Sequence, residues 1–304
     1  MEDPMSCKNQ GGSSLLVVIC AYNEEETIGK VVSRVLEEGF NVLVVDDGSD
    51  DSTADIALQQ GATVIRHPVR MGKAAALSDA IRFAAEKGYE IVIEVDADAI
   101  PTKGSIKKLA KYIAIPTVGG VSALQIPVGG GLAYSIDELV WAILAEGKRL
   151  QQRRGMNVHL GAVMYGIRLK YIERIVKVIN DDEYVGICII RRGARTLFAE
   201  DAIAYFDASS SIKHLYIRRK RMIVGHIQLG KSTAPSMQPN ILAAATLLAV
   251  IRKPSRVLWL LPAIVIEITA RLSAMRDARN IEKMSQYKKW HTYGMKKPIT
   301  ISAK

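Results

Sequence analysis

Two aspartates one residue apart, Asp96 and Asp98, close the run "EIVIEVDADAI" (90–100). Its apolar part, Ile91-Val92-Ile93, is short and β-branched and predicts a buried strand. A strand running through both acids would put their carboxylates on one face, about 6.6 Å apart. At that spacing the charges repel by about 2.5 kcal/mol at an effective dielectric near 20. A divalent cation is the simplest group to offset this. Oxygen ligands favour Mg2+ or Mn2+, and Mg2+ typically takes one or two carboxylates together with substrate phosphates. The chemistry expected is binding of a diphosphate-bearing substrate. A second acid pair, Asp46-Asp47 in "VVDDGSDDST", follows another apolar run. In "NDDEYVG" (180–186) the acids either take a proton from a hydroxyl nucleophile or merely open a helix. In "RRKRMIVG" (218–225) the arginines either stabilise charge developing on a leaving group or form a basic surface helix.

The elements that position these acids follow from periodicity. "LLVVIC" predicts a strand over 15–20. Asn23 and the glutamates after it suit a helix start, with Ile28, Val31, Val32 and Val35 at helical spacing and Gly39 as its end. A strand and acidic turn follow, then a helix over 52–60 and a strand over 62–67. A glycine-led helix from Gly72 is closed by Gly88, and the 90–98 strand comes next. Strands alternating with helices predict a parallel sheet covered on both faces, with ligands beyond the strand C-termini. Both acid pairs fall there. Further on, 135–155 reads as a long helix and 161–175 as a strand and turn into a helix. "VGGG" (128–131) reads as a flexible loop with no helix directly after it. Two apolar segments, "ILAAATLLAVI" and "VLWLLPAIVIEITARL", follow Pro235 and Pro239. The first is too short to span about 30 Å of hydrocarbon, and the second carries Pro262, Glu267 and Arg271. An interfacial or re-entrant hairpin fits better than a span, beside the alternative of buried helices in a soluble domain. The expected division is a lead over 1–14, a catalytic domain over 15–232, a membrane-associated helical segment over 233–280 and a basic tail over 281–304.

Composition agrees. The chain has 304 residues, 49% hydrophobic and 24% charged, enough for one large domain with an appendage. The net charge of +10 is uneven: from Lys213 onward there are 18 Lys/Arg against 3 Asp/Glu. A basic, apolar C-terminal region points to anionic lipid or a phosphorylated substrate; nucleic acid is not the expected partner. Cys7, Cys20 and Cys188 show no zinc spacing or disulfide framework, which suits a reducing compartment. The polar N-terminus is not a signal peptide by pattern.

Four segments in this order, "VVICAYNEE" (17–25), "VVDDGSDDST" (44–53), "GKAAAL" (72–77) and "VDADA" (95–99), together resemble the family 2 nucleotide-sugar glycosyltransferases. The resemblance covers roughly 15–230 and implies the α/β GT-A (Rossmann-like) fold: a mostly parallel sheet with helices on both faces, here with an apolar helical segment appended. It implies that Ala21, Tyr22 and Glu24 hold base and ribose, although Cys20 stands where the family usually has proline. An acid of the next turn, Asp46 or Asp47 with Asp47 favoured, would read the base. Gly72 and Lys73 would lie by the nucleotide, Lys73 at a helix N-terminus suited to an anion. Asp96 and Asp98 would match the metal and donor site, Asp98 as the more direct ligand. Aligning Val185-Gly186 to the family's leucine-glycine pair places Asp182 at the catalytic base, with Glu183 as the neighbouring alternative. Arg221 matches the arginine of the Gln-x-x-Arg-Trp segment. Arg218 and Met222 replace its glutamine and tryptophan, which counts against a polymer synthase. His159 falls where family members often line the acceptor site, though a lone histidine is more often structural.

The expected function is inverting, Mg2+- or Mn2+-dependent transfer of a sugar from a UDP- or GDP-sugar to an acceptor hydroxyl or phosphate. A lipid-linked acceptor at the cytoplasmic face of a membrane would account for the C-terminal region; a glycan acceptor and a soluble cytoplasmic protein are the alternatives. A sugar-phosphate nucleotidyltransferase would want a glycine-rich, arginine-bearing loop where "AYNEEE" stands. A non-catalytic nucleotide- or lipid-binding module leaves Asp98 and Asp182 without a joint reason. No Gly-x-Gly-x-x-Gly follows the first strand, so a dinucleotide-binding dehydrogenase is not expected.

Overall fold

The computed structural model describes residues 15–176, 178–230 and 237–279. The expected N-terminal lead and basic tail, with Cys7 and Pro235, lie outside the described residues. Eight strands form one sheet: β1 (Leu15–Ala21), β2 (Asn41–Asp46), β3 (Thr63–Arg66), β4 (Ile91–Val95), β5 (Ala99–Pro101), β6 (Val118–Val128), β7 (Met164–Arg168) and β8 (Arg195–Asp207), in the spatial order β3-β2-β1-β4-β7-β6-β8-β5. The first four strands are mutually parallel, as expected. Beyond β4 the sheet is mixed: β7 runs antiparallel to β4 and β6, and β5 antiparallel to β8, while β6 and β8 are parallel.

The central strands β1, β2 and β4 are almost continuously apolar because both faces are covered. Val17 and Ile19 face α1 (Ile28–Glu37), α2 (Thr53–Gln59) and α4 (Ser105–Ile113) in one cluster. Leu16 and Val18 face α3 (Lys73–Glu86) and α6 (Asp181–Arg191) in another. This period of two fixes register, since a one-residue slip would exchange the two cores. The core face of α1 is Ile28, Val31, Val32 and Val35, the positions expected from the sequence.

Several expectations are corrected. Asn23 does not open a helix; it holds a left-handed φ of 54° in a turn, and α1 begins at Ile28. The fourth strand ends at Val95, before both aspartates. Ala99 N–H bonds the Asp96 carbonyl at 3.0 Å, so Asp96–Ala99 is a turn, and strand alternation does not set the separation of the two carboxylates. The glycines at 129–131 lead directly into α5 (Gly131–Arg153), the longest helix described, so the long helix expected over 135–155 starts at the last of these glycines. The expected helix within 161–175 is absent: β7 is followed by one 3-10 turn at Leu169–Tyr171, and the next α-helix is α6.

Three further helices complete the described chain: α7 (Ile212–Leu229), α8 (Pro239–Arg252) and α9 (Leu260–Ala278), the last two joined by a 3-10 segment, Pro254–Trp259. Helix α8 packs on α5 and α9 on α7. Ala270 and Ala274 of α9 are buried with Ile223 and Val224 of α7, small residues allowing close approach. Ion pairs reinforce the seat: Glu267 with Arg219, Asp277 with Lys220 at 2.6 Å, and Arg256 with Glu138 of α5 at 2.6 Å. The outer face of this pair is apolar and exposed, with Leu247, Leu258, Leu261, Ile264 and Ile268 each more than half accessible.

Candidate active site

At the C-terminal ends of β1 and β2 two turns latch together. Asn23 N–H bonds Ser49 Oγ at 2.9 Å, Asp50 N–H bonds Asn23 Oδ1 at 3.1 Å, and Glu24 N–H bonds Thr53 Oγ1 at 2.7 Å. Gly48 is required here: its φ is +75°, and a Cβ would lie 2.7 Å from the backbone of Val69. The loop leading to α3 therefore lies directly on this turn. Asp47 anchors that loop. Its carboxylate accepts from Met71 N–H at 2.8 Å and Gly72 N–H at 2.7 Å and meets His67 Nδ1 at 2.9 Å. Asp46, equally buried, accepts from Ser49 N–H and pairs with Arg66 at 3.3 Å. Arg70 stacks over the ring of Tyr22 at 3.9 Å. Ala21, Tyr22, Glu24, Asp46, Asp47 and Gly72 are thus assembled at one end of the sheet.

Lys73, the first residue of α3, joins this edge to the next. Its ammonium bonds Asp96 and lies 3.0 Å from Glu94 Oε1. Burial opposes the charge, but Asp96 and then Glu94 hold the lysine pKa well above its ordinary value. The electrostatic cost raised by the acid pair is therefore met in part by Lys73. Around it stand three acids, Glu94, Asp96 and Asp181, with the Tyr165 hydroxyl nearby. Burial pushes all three carboxyls up, Asp96 to about 6, with Lys73 opposing. One ammonium among three acids leaves a negative surplus for protons or a cation to balance. Glu94 was missed in the sequence; a single glutamate inside "IVIEV", with no surface to face, was the available signal.

The N-terminus of α6 brings the other acids alongside. Glu183 is tied down by His226 at 2.5 Å and Asn180 Nδ2 at 3.0 Å, and its pKa is lowered by these partners against the effect of burial. Asp182, mostly buried, meets His159 Nδ1 at 3.9 Å. Burial holds the His159 pKa below its ordinary value. Gly225 of α7 abuts Asn180: a Cβ there would lie 2.1 Å from Asn180 Oδ1. Helix α7 thereby brings Arg221 near Asp181, where its charge opposes a small part of the rise that burial imposes on that carboxyl. Among the described residues no group of three or more His, Cys, Asp or Glu converges as a metal cage. A cation held by one or two carboxylates, with the rest of its shell from substrate, is the donor set expected for Mg2+ or Mn2+.

Residues 16–161 match the family model "Glycosyl transferase family 2". This stretch is a family 2 glycosyl transferase domain. The chain is 38% identical over 100 residues to an uncharacterized protein of Methanocaldococcus jannaschii, covering 33% of this chain and 41% of that one. It is 36% identical over 108 residues to an undecaprenyl-phosphate mannosyltransferase of Micrococcus luteus, covering 33% and 44%. The chain thus spans less than half the length of these relatives. In three dimensions it is similar to glucosyl-3-phosphoglycerate synthase of Mycobacterium tuberculosis solved with Mn2+, UDP-glucose and phosphoglyceric acid: TM-score 0.51, 21% identity, 70% of this chain and 78% of that one. The same synthase with Mg2+ and UDP gives a TM-score of 0.52 at 20% identity, covering 74% and 81%. At that identity the likeness carries the fold, and the glycosyl transferase domain has the expected GT-A-like α/β architecture with an apolar C-terminal helix.

Proposed function

We propose that the protein transfers a sugar from a nucleotide-diphosphate sugar to an acceptor, with inversion and with Mg2+ or Mn2+. The observation that supports this most is the meeting of two acid sets around Lys73: the Asp96–Asp98 turn after β4 and the Asp181–Glu183 start of α6. The pyrimidine or purine end of the donor lies at Ala21–Glu24 and the Asp46-Asp47 turn, where Tyr22 and Arg70 offer a stacking surface. Both Asp47 oxygens already hold the Met71–Gly72 loop, so its part is to shape that surface. Asp98, with Asp96, would hold the cation, which when bound supplies positive charge to the diphosphate. Asp96 remains oriented by Lys73.

Asp182 is the carboxylate placed to receive the proton of an acceptor hydroxyl, since Glu183 is occupied by His226 and Asn180. The acceptor oxygen bonds the anomeric carbon as the bond to the diphosphate breaks, and the nucleoside diphosphate leaves. Lys73 and Arg221 contribute positive charge toward the leaving group. A thermal-shift screen of UDP- and GDP-sugars with Mg2+ and Mn2+ tests the reading. One donor should stabilise the fold in a cation-dependent way; no shift with any donor would overturn it.

The α8–α9 pair is read as an in-plane membrane anchor. Pro254–Ala278 is long and apolar enough to cross a membrane, with mean hydropathy 1.7 and 11% of its most apolar window buried. Glu267 at its middle, however, pairs with Arg219 of the glycosyl transferase fold, and Ala270 and Ala274 pack on α7. A helix committed along one side to the domain presents its other side to lipid headgroups and acyl chains. This reading carries with it the division near 233 between the catalytic domain and the helical segment, and a lipid-linked acceptor delivered from that surface.

A further inference from the structure

The loop between β3 and α3 carries groups for both ends of the proposed donor site. Arg70 stacks over Tyr22 at the base end, and Lys73, just past the loop, reaches Asp96 at the other. Between the two, Met71 N–H and Gly72 N–H both donate to the Asp47 carboxylate, at 2.8 and 2.7 Å. Asp47 is fully buried and meets in turn His67, the residue that follows β3. His67 is 6% exposed, and its ring is held on two sides. Nδ1 lies 2.9 Å from Asp47 Oδ1, and Nε2 lies 2.9 Å from Asp79 Oδ2 of α3. Arg82 pairs with the other Asp79 oxygen at 2.7 Å. His67 N–H donates to the Asp46 carbonyl at 2.9 Å, which fixes where the ring enters.

A neutral imidazole has one N–H and one lone pair, whereas an ionised carboxylate only accepts. Asp47 already accepts from two amides and Asp79 from a guanidinium, and such donors select the anionic form. Each ring nitrogen must therefore donate. We propose that His67 is an imidazolium shared between Asp47 and Asp79, and that it is the positioning residue of the donor-binding loop. It fixes Asp47, Asp47 fixes Met71 and Gly72, and those two set Arg70 on one side and Lys73 on the other. This rests on the glycosyl transfer reading and adds to it a residue that keeps the two ends of the donor site in register. The charge matters because a buried carboxylate is costly unless paired. A neutral side chain at position 67 leaves Asp47 to the amides alone, and the loop loosens at Met71 and Gly72.

The test compares the full chain with His67→Gln, which keeps a donor and removes the charge. The readouts, at neutral pH, are the nitrogen NMR shifts of the His67 ring, hydrogen exchange of the Met71 and Gly72 amides, and affinity for UDP and GDP with Mn2+. In the wild type both ring nitrogens should carry a proton, a signal assigned by its loss in the variant. In the variant the Met71 and Gly72 amides should exchange about tenfold faster, beyond any change in the slowest core amides. Nucleotide affinity should fall about tenfold, the scale of one lost charge-assisted hydrogen bond. A histidine that only fills space would shift the melting temperature without singling out these two amides. Asp79→Asn serves if His67→Gln fails to fold: it should leave the ring with one proton and speed the same two amides. A wild-type ring with an unprotonated nitrogen, exchange at Met71 and Gly72 that merely tracks the core in a folded variant, or a nucleotide affinity within about twofold of wild type overturns the proposal. If the wild type binds neither UDP nor GDP, the donor reading fails instead, and the ring signal and the two amides still decide the role of His67.

Discussion

Lys73 bonds Asp96 and, through the same ammonium, lies 3.0 Å from Glu94, so the first residue of α3 clamps the end of β4. Without it, buried Glu94 and Asp181 and partly buried Asp96 would have, among the described residues, only Arg221, beside Asp181, as a positive neighbour. Lys73→Met should therefore destabilise the fold by about 3–5 kcal/mol at neutral pH, the cost of removing one partner from a buried ionic group. Urea unfolding measures it. A loss below 1 kcal/mol would mean that protons alone neutralise the cluster.

Asp98→Asn should leave the fold intact and remove most cation-dependent stabilisation by the donor. The readout is the Mn2+-dependent part of the thermal shift, compared with the shift from nucleotide alone. Equal Mn2+ responses in wild type and variant would take Asp98 out of the cation site.

Asp182→Asn and Glu183→Gln separate two neighbours with different surroundings. Asp182→Asn should reduce transfer to a hydroxyl acceptor by about a hundredfold or more while donor affinity holds, the usual scale of a lost general base. Glu183→Gln should act through structure, loosening His226 and Asn180, and should lower the melting temperature. The reverse pattern would move the base to Glu183. Gly225→Ala tests the same packing from α7: with Asn180 in the way of its Cβ, it should lower kcat more than it raises the donor KM.

Lys148 gives a pH dependence whose sign is fixed. Its folded pKa of about 8 lies below the ordinary lysine value of 10.5. Between about pH 8 and 10.5 the unfolded chain binds more protons at this site, so its contribution makes stability rise with pH. Below pH 8 the full penalty applies, on the order of 3 kcal/mol at 1.36 kcal/mol per pH unit. Lys148→Met should thus raise the melting temperature at pH 7, and the gain over wild type should shrink toward pH 10. A variant less stable than wild type at pH 7 would contradict the penalty.

The exposed face of α8–α9 makes a separable prediction. Leu261→Glu with Ile268→Glu should abolish co-sedimentation with anionic vesicles while the domain keeps its donor-induced thermal shift. Both side chains point outward, so the cost to folding should stay within about 0.5 kcal/mol, as for other surface changes. Undiminished vesicle binding would assign membrane contact to another surface.

Much of this was legible in the chain. The runs at 15–20 and 91–95 are strands because β-branched residues at consecutive positions need two covered faces, and the acid turns fall where a parallel sheet binds ligands. What the sequence withheld was pairing. Glu94 and Lys73 are 21 residues apart, and nothing local marks them as partners. Asp96 and Asp98 were read as continuing the strand, but the Asp96 carbonyl accepts from Ala99 N–H and turns the chain. Nothing local marks Lys148 as buried; its burial depends on β6 and Gly161 closing over it. The glycines at 129–131 suggested a loop, whereas they free the backbone to turn sharply into α5.

Three successive residues of α5 face three ways. Glu146 pairs with Arg252 of α8 at 2.8 Å, Gly147 leaves room for Met237 ahead of α8, and Lys148 reaches inward to Ser122. The seat of the outer helices and the wall of the inner cleft are thus built on less than one helical turn. A tilt of α8 would therefore be passed through Glu146 and Gly147 to the same stretch of α5 that carries Lys148.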